Sequence, residues 1–134
     1  MKFVFKIFIA SVMLFSCVGL KAQGDGYEVF VPIAKYLGNG DSEKLSAWFA
    51  DNLEITIMTT TSSSSRNQAR QILKAFFDSY TPRSFTINHK ASQAQSKYAV
   101  GELIAGGEMF QVTIFVSYCK EHYKIQQLKI DRVR

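Results

Sequence analysis

At Ser84 the spacing of apolar residues changes from about 3.6 to two, and that switch constrains the fold more than any other feature of the chain. Before it, Phe30, Ile33, Ala34 and Leu37 sit at i, i+3, i+4 and i+7. Ala69, Ile72, Leu73, Phe76, Phe77 and Tyr80 keep the same period, so each set predicts one buried helix face. After it, Phe85 and Ile87 share an alternating face with His89, and Tyr98–Ile104, Met109–Tyr118 and Tyr123–Ile130 predict three further strands. Gly106-Gly107 predicts a tight hairpin turn. In the last strand Tyr123 and Ile125 are out of step with Leu128 and Ile130, which predicts a bulge at Gln126-Gln127. Helices early and a strand meander late make an α+β domain, with the helices on one face of a curved antiparallel sheet.

Local signals fill in the first half. Pro32 fits only the first turn of a helix, and Gly38 is placed to end it. Asp41 reads as the N-cap of a second short helix whose apolar stripe is Leu45, Trp48 and Phe49. Leu53, Ile55 and Ile57 alternate with Glu54 and Thr56, predicting a half-buried strand over Leu53–Met58. The hydroxyl run Thr59–Ser65 has no histidine close by and no glycine to shape a nucleophile elbow, so it reads as a flexible connector. Ser65 followed by Gln68 matches a capping box for the long helix, and Pro82 stops that helix from continuing.

The first 23 residues have a different character. Lys2 and Lys6 precede an apolar run from Ile7 to Leu20, and Lys21-Ala22-Gln23 restores polarity. This is the layout of a secretory signal peptide, here residues 1–22, leaving one domain over 23–134. As a helix the run would rise roughly 21 Å, short of the ~30 Å hydrocarbon core, so no membrane span is expected. Leu14-Phe15-Ser16-Cys17 also resembles a lipobox, although Phe15 is bulky and Val18-Gly19-Leu20 continue the apolar run. Cleavage after Ala22, with a periplasmic or secreted product, is the expectation; lipidation of Cys17 is the alternative. The mature chain then keeps one thiol, Cys119, so packing rather than disulfides must hold the fold, and 47% hydrophobic residues suffice for that. Setting aside Lys2, Lys6 and Lys21 leaves 13 basic against 11 acidic residues, too even a balance to imply nucleic acid.

Several stretches carry a family resemblance: Ile33–Asp41 with its Leu-Gly-Asn, Ala69–Phe77 (ARQILKAFF), Ser84–His89 (SFTINH), Lys97–Leu103 (KYAVGEL) and Tyr123–Ile130 (YKIQQLKI). The chain resembles the nuclear transport factor two-like superfamily, cone-shaped domains related in outline to the cystatin-like fold. More closely it is similar to small exported Bacteroidota proteins classed as a domain of unknown function. The resemblance implies the fold and no established activity. Superfamily enzymes place polar side chains inside the cone, whose lining here would be Trp48, Phe77, Tyr80, Phe85, His89 and Tyr98. On that basis His89 is the candidate acid or base, with Glu102 as its partner if the face of Tyr98, Val100 and Ile104 lines the cone. Glu54 should point away from the core, Asp41 is used as a cap, and Asp78 belongs to a solvated helix face.

Other chemistries find less support. The two histidines and Cys119 occur at no metal-ligand spacing, and no glycine loop would cradle a phosphate, so neither metal nor cofactor is expected. Lys90, Lys97, Lys120, Lys124 and Lys129 read as a solvated sheet surface. Phe110, Val112, Ile114 and Val116 form the stronger core face of their strand, leaving Met109 and Phe115 on the other side, where helices cannot cover them. A homodimer through that sheet face follows. The expected function is an exported, non-enzymatic binding or assembly domain with room for a small apolar ligand in its cone; the alternative is a small-molecule lyase or isomerase using His89. Intact-mass measurement on protein from envelope fractions should show a chain beginning at Gln23. A mass that retains Met1 would overturn export, and an acylated Cys17 would select lipidation.

Overall fold

The computed structural model describes residues 27–119 and 121–133, so the leader and Cys17 lie outside the described residues. Helix α1 (Phe30–Asn39) carries Pro32 in its first turn and buries Phe30, Ile33 and Leu37. It ends at Gly40 rather than Gly38. Gly40 adopts φ 69°, and the Gly40 and Asp41 amides donate to the Leu37 and Tyr36 carbonyls, a left-handed cap that favours glycine. Gly38 instead serves close packing, since a Cβ there would lie 3.3 Å from the Phe85 amide nitrogen. Asp41 caps α2 (Ser42–Ser46) by accepting from the Lys44 amide at 3.0 Å. That helix is one short turn, and Phe49 belongs to the next strand, not to a helical stripe.

Strands β1 (Phe49–Ile57) and β2 (Thr60–Ser65) form a hairpin. The hydroxyl run is therefore a strand, not a connector. It has no hydrophobic phase of its own, and its extended shape comes from pairing residue by residue with β1. Helix α3 (Arg66–Ser79) opens on the capping box, with the Gln68 amide donating to Ser65 Oγ and the Ser65 amide donating to Gln68 Oε1, both at 3.2 Å. It buries Ala69, Leu73, Phe76 and Phe77. The meander of β3 (Pro82–Gln93), β4 (Ser96–Ala105), β5 (Glu108–Cys119) and β6 (His122–Arg132) follows, each strand antiparallel to the next.

The curved sheet has the order β2-β1-β6-β5-β4-β3, and β1 joins it parallel to β6. Helix α1 packs on β3 and β4, while α3 packs on α2, β1 and β2, so all three helices cover one face. On that inner face Leu53, Ile55, Leu103, Phe110, Val112, Ile114, Val116, Ile125, Leu128 and Ile130 are buried. The bulge expected in β6 is present: the β5–β6 register shifts between Phe115↔Gln127 and Val116↔Ile125, leaving Gln126 as the extra residue. Gly106 and Gly107 turn β4 into β5 with φ of 60° and 78°. Among the described residues no helix is long and apolar enough to cross a membrane.

Gly101 sits on the inner face in mid-strand, and the Phe85 ring lies over it. A Cβ at this position would come within 2.6 Å of the Phe85 Cζ and 2.5 Å of the Thr86 carbonyl oxygen. The missing side chain is thus the space that the ring fills. Gly101→Ala should destabilise the fold by about 1–3 kcal/mol through overpacking, read as a lower denaturation midpoint. An unchanged midpoint would show that the ring does not depend on this gap.

Candidate functional site

Two features decide where the candidate side chains fall: the phase of each strand and the bulge in β3. Phe85 pairs with Leu103 and Ile87 with Gly101, both on the inner face. The register then shifts, so His89 pairs with Val100 and Asn88 is the extra residue. One added residue reverses the side-chain alternation. His89 therefore leaves the face of Phe85 and Ile87 and stands exposed on the outer face, which corrects the sequence expectation. Its ring meets that of Tyr98 at 5.8 Å between centroids, tilted by 53°.

Glu102 lies on the same outer face, paired across the strands with Thr86 and Gln111, and is exposed. His89 and Glu102 thus share a face, but neither hydrogen-bonds the other and water reaches both. Glu54 also points away from the core and accepts from Gln127 Nε2 at 3.2 Å. Asp78 pairs with Lys74 at 3.2 Å on the outside of α3. Among the described residues no three His, Cys, Asp or Glu side chains gather to hold a metal.

The six side chains expected to line the cone fall in three places. Phe77 is buried in the core beside Phe76. Phe85 packs over Gly101, and Tyr80 meets Phe76 at a tilt and Phe110 edge-on while accepting from Arg132 Nη2 at 2.8 Å. Trp48 lies at the other end of the molecule, in a surface cleft of about 230 Å³ with His122 and Tyr123. His89 and Tyr98 are on the opposite side of the sheet. They do not gather around one cavity. Between helices and sheet, Phe30, Phe49, Phe110 and Leu103 are fully buried and occupy the interior.

The β3 bulge has a second effect, which the sequence pattern concealed. Beyond it Lys90 turns to the inner side, where its Nζ sits 5.0 Å from the Tyr27 ring centroid. Lys97 Nζ lies 5.5 Å from the same ring and 5.1 Å from that of Tyr123. Lys129, by contrast, is on the outer face beside Asp131. The lysines grouped by sequence are thus divided between two sides of the sheet. Lys120 is not among the described residues, and of Cys119 only the backbone position at the end of β5 is described.

What the outer face offers is an apolar stripe. Tyr98 pairs with Phe115, Val100 with Thr113 and Ile104 with Met109, all pointing away from the helices. Tyr98 is 36% and Met109 38% exposed, while Val100, Ile104 and Phe115 are half-buried. Met109 and Phe115 are on the side expected from their alternation with Phe110 and Val116. Glu102 and Gln111 pair with each other between Val100↔Thr113 and Ile104↔Met109, dividing the stripe in two, and Glu54, Lys129 and Asp131 flank it with both signs of charge. The outer face thus carries two apolar groups, Tyr98, Val100 and Phe115 at one end and Ile104 with Met109 at the other, separated and flanked by polar side chains.

A family model described as Domain of unknown function (DUF4783) matches residues 30–131. A DUF4783 family protein from Bacteroides uniformis ATCC 8492 has a similar structure, with TM-score 0.75 and 23% identity over 82% of this chain and 99% of its own. One from Bacteroides fragilis YCH46 gives TM-score 0.74 and 25% identity, covering 77% and 97%. An NTF-2 like protein of unknown function from Silicibacter pomeroyi DSS-3 gives TM-score 0.61 and 15% identity, covering 79% and 91%, a likeness of fold alone. No curated protein matches the chain. Because His89 stands exposed on a surface, His89→Ala should change stability by no more than about 0.5 kcal/mol. A larger loss in the denaturation midpoint would mean that the imidazole packs in a way its exposure does not suggest.

Proposed function

The chain belongs to the DUF4783 family, a domain of unknown function with the nuclear transport factor two-like fold, and we propose that it is an exported, non-enzymatic assembly domain that dimerises through the outer face of its sheet. The observation that carries this reading is the Tyr98–Phe115 stripe on the sheet face that, among the described residues, no helix covers. Half-exposed aromatic and aliphatic side chains gathered on one sheet face are the kind of surface that marks an interaction site. Its occupant in this reading is a second copy. A two-fold contact sets the patch against itself, and the mixed charges of Glu54, Lys129 and Asp131 beside it, with Glu102 within it, offer both signs for a self-complementary contact.

The exposure of His89 and Glu102 supports binding over catalysis. A general acid and base need a shielded pair within hydrogen-bond reach, and these two are solvated on the sheet's outside. The packed interior likewise favours a surface role over a small apolar ligand held in the cone. Export, which rests on the leader's charge-apolar-polar layout, puts such a domain in the periplasm or outside the cell.

Phe115→Glu should yield a folded monomer. The change leaves the helix-covered face alone, and a glutamate desolvated at a two-fold contact lacks a partner, a cost of several kcal/mol. Sedimentation across a concentration series, with circular dichroism to monitor folding, checks it. A wild type that stays monomeric at tens of micromolar would overturn the dimer.

A further inference from the structure

The two edges of the sheet are built differently. Strand β3 is a guarded edge: it starts at Pro82, carries Arg83 and Lys90, and its register is broken twice. These are the devices by which natural sheets avoid pairing with other chains. Strand β2, at the other edge, has none of them. It reads TTSSSS and pairs with β1 without a break from Ile57↔Thr60 to Asn52↔Ser65. The two-residue turn closes across Ile57 and Thr60, so by antiparallel alternation Thr61 and Ser63 aim their backbone N–H and C=O groups away from β1.

Beside this open edge lies a cleft of about 490 Å³. One wall is β2 itself, at Ser62 to Ser64, and the other is a stripe of α3 at i, i+3, i+4 and i+7: Gln68, Gln71, Ile72 and Ala75. This stripe borders the α3 face that enters the core, and Ile72, half-buried, packs partly against that core. Among the described residues no charged side chain lines the cleft. Of the nearby charges of α3, Arg66 pairs with Asp51 at 2.7 Å, Lys74 with Asp78 at 3.2 Å, and Arg70 donates to the Asn67 side chain at 2.5 Å. An unpaired strand edge flanked by a helix is the geometry in which proteins accept an added strand, with the edge supplying backbone hydrogen bonds and the helix supplying side-chain selectivity.

We propose that the β2 edge and the Gln68–Ala75 stripe form a strand-addition site for an extended, uncharged segment of a partner protein. Neutrality of the lining sets the neutrality of the segment, since a buried charge there would find no counter-charge. The small serines let a strand come close, the two glutamines offer amides to its hydroxyl or amide side chains, and Ile72 with Ala75 take one small apolar side chain. A second copy is the poorer occupant, because its own β2 would bring only serine and threonine to Ile72 and would set its α3 against this one. The site is separate from the outer-face stripe and does not depend on dimerisation.

The test is a titration of the isotopically labelled protein, as isolated, with an acetylated and amidated heptapeptide alternating threonine and valine, followed by amide chemical shifts and hydrogen exchange. At millimolar peptide the Thr61, Ser63, Gln71 and Ile72 amides should shift, and exchange at Thr61 and Ser63 should slow. Ala75→Lys, on the exposed side of α3, should weaken binding by about tenfold or more with the fold intact. Ser63→Pro should do the same by removing one outward N–H, and Phe115→Glu should leave the peptide affinity unchanged, which separates this site from the dimer surface. Absence of shifts at β2, shifts centred on Phe115 instead, or slow exchange at Thr61 and Ser63 that depends on protein concentration without peptide would each overturn the proposal, the last by assigning the edge to a second copy.

Discussion

The fold depends on the inner face of β5. Phe110, Val112, Ile114 and Val116 are all fully buried, and this strand is paired along its length on both sides, with β4 and with β6. By area each such side chain contributes about 1.5–3 kcal/mol when removed from water. A slip of one residue would move all four to the opposite face, so the register of the whole meander is fixed by this one alternation. Every residue outside the core inherits its direction from it. Tyr98 and Phe115 point outward because Ala99 and Ile114 point inward.

Where the alternation is interrupted, the consequence is local and large, and the two bulges differ in how visible they are beforehand. In β6 the apolar residues straddle the extra residue, Ile125 before it and Leu128 after, so the change of phase can be read directly. In β3 only Phe85 and Ile87 are strongly apolar; His89, Lys90 and Ala91 beyond the bulge give no phase to compare. The same gap explains the hydroxyl run. Serine and threonine carry no hydrophobic period, and only the neighbouring β1 makes Thr60–Ser65 a strand. Caps were far more legible, because Asp41, Ser65 with Gln68, and Gly106-Gly107 act through local bonds and backbone angles that their own chemistry dictates. Trp48 and Phe49 follow Leu45 at helical spacing, yet the chain leaves the helix at Ser46 because Phe49 pairs with Ile125 in the sheet. Tertiary pairing overrode local pattern there.

The candidate site was legible to the same uneven degree. The outward direction of Met109 and Phe115 follows from strong residues on the other side of the same strand. The placement of His89 does not, since a single unmarked residue, Asn88, decides it. A histidine that alternation alone would send toward the core is instead set against Tyr98 on the exterior, and with it the case for chemistry inside the cone loses its principal residue.

Shared architecture therefore constrains function here mainly by what it leaves uncovered. Likeness to the Silicibacter pomeroyi protein at 15% identity is a likeness of fold, and fold alone does not assign a role. In this chain the helices cover one face of the sheet and fill it with aliphatic and aromatic side chains, so polar chemistry has little place there. What remains is a set of surfaces with different characters: an apolar outer stripe, a guarded β3 edge and an unguarded β2 edge. A sheet protein that protects one edge with proline, basic residues and two breaks of register, yet leaves the other regular and flanked by a cleft, keeps the second available for pairing. The asymmetry is what a domain acting through contact would need, with one surface to associate and another to receive.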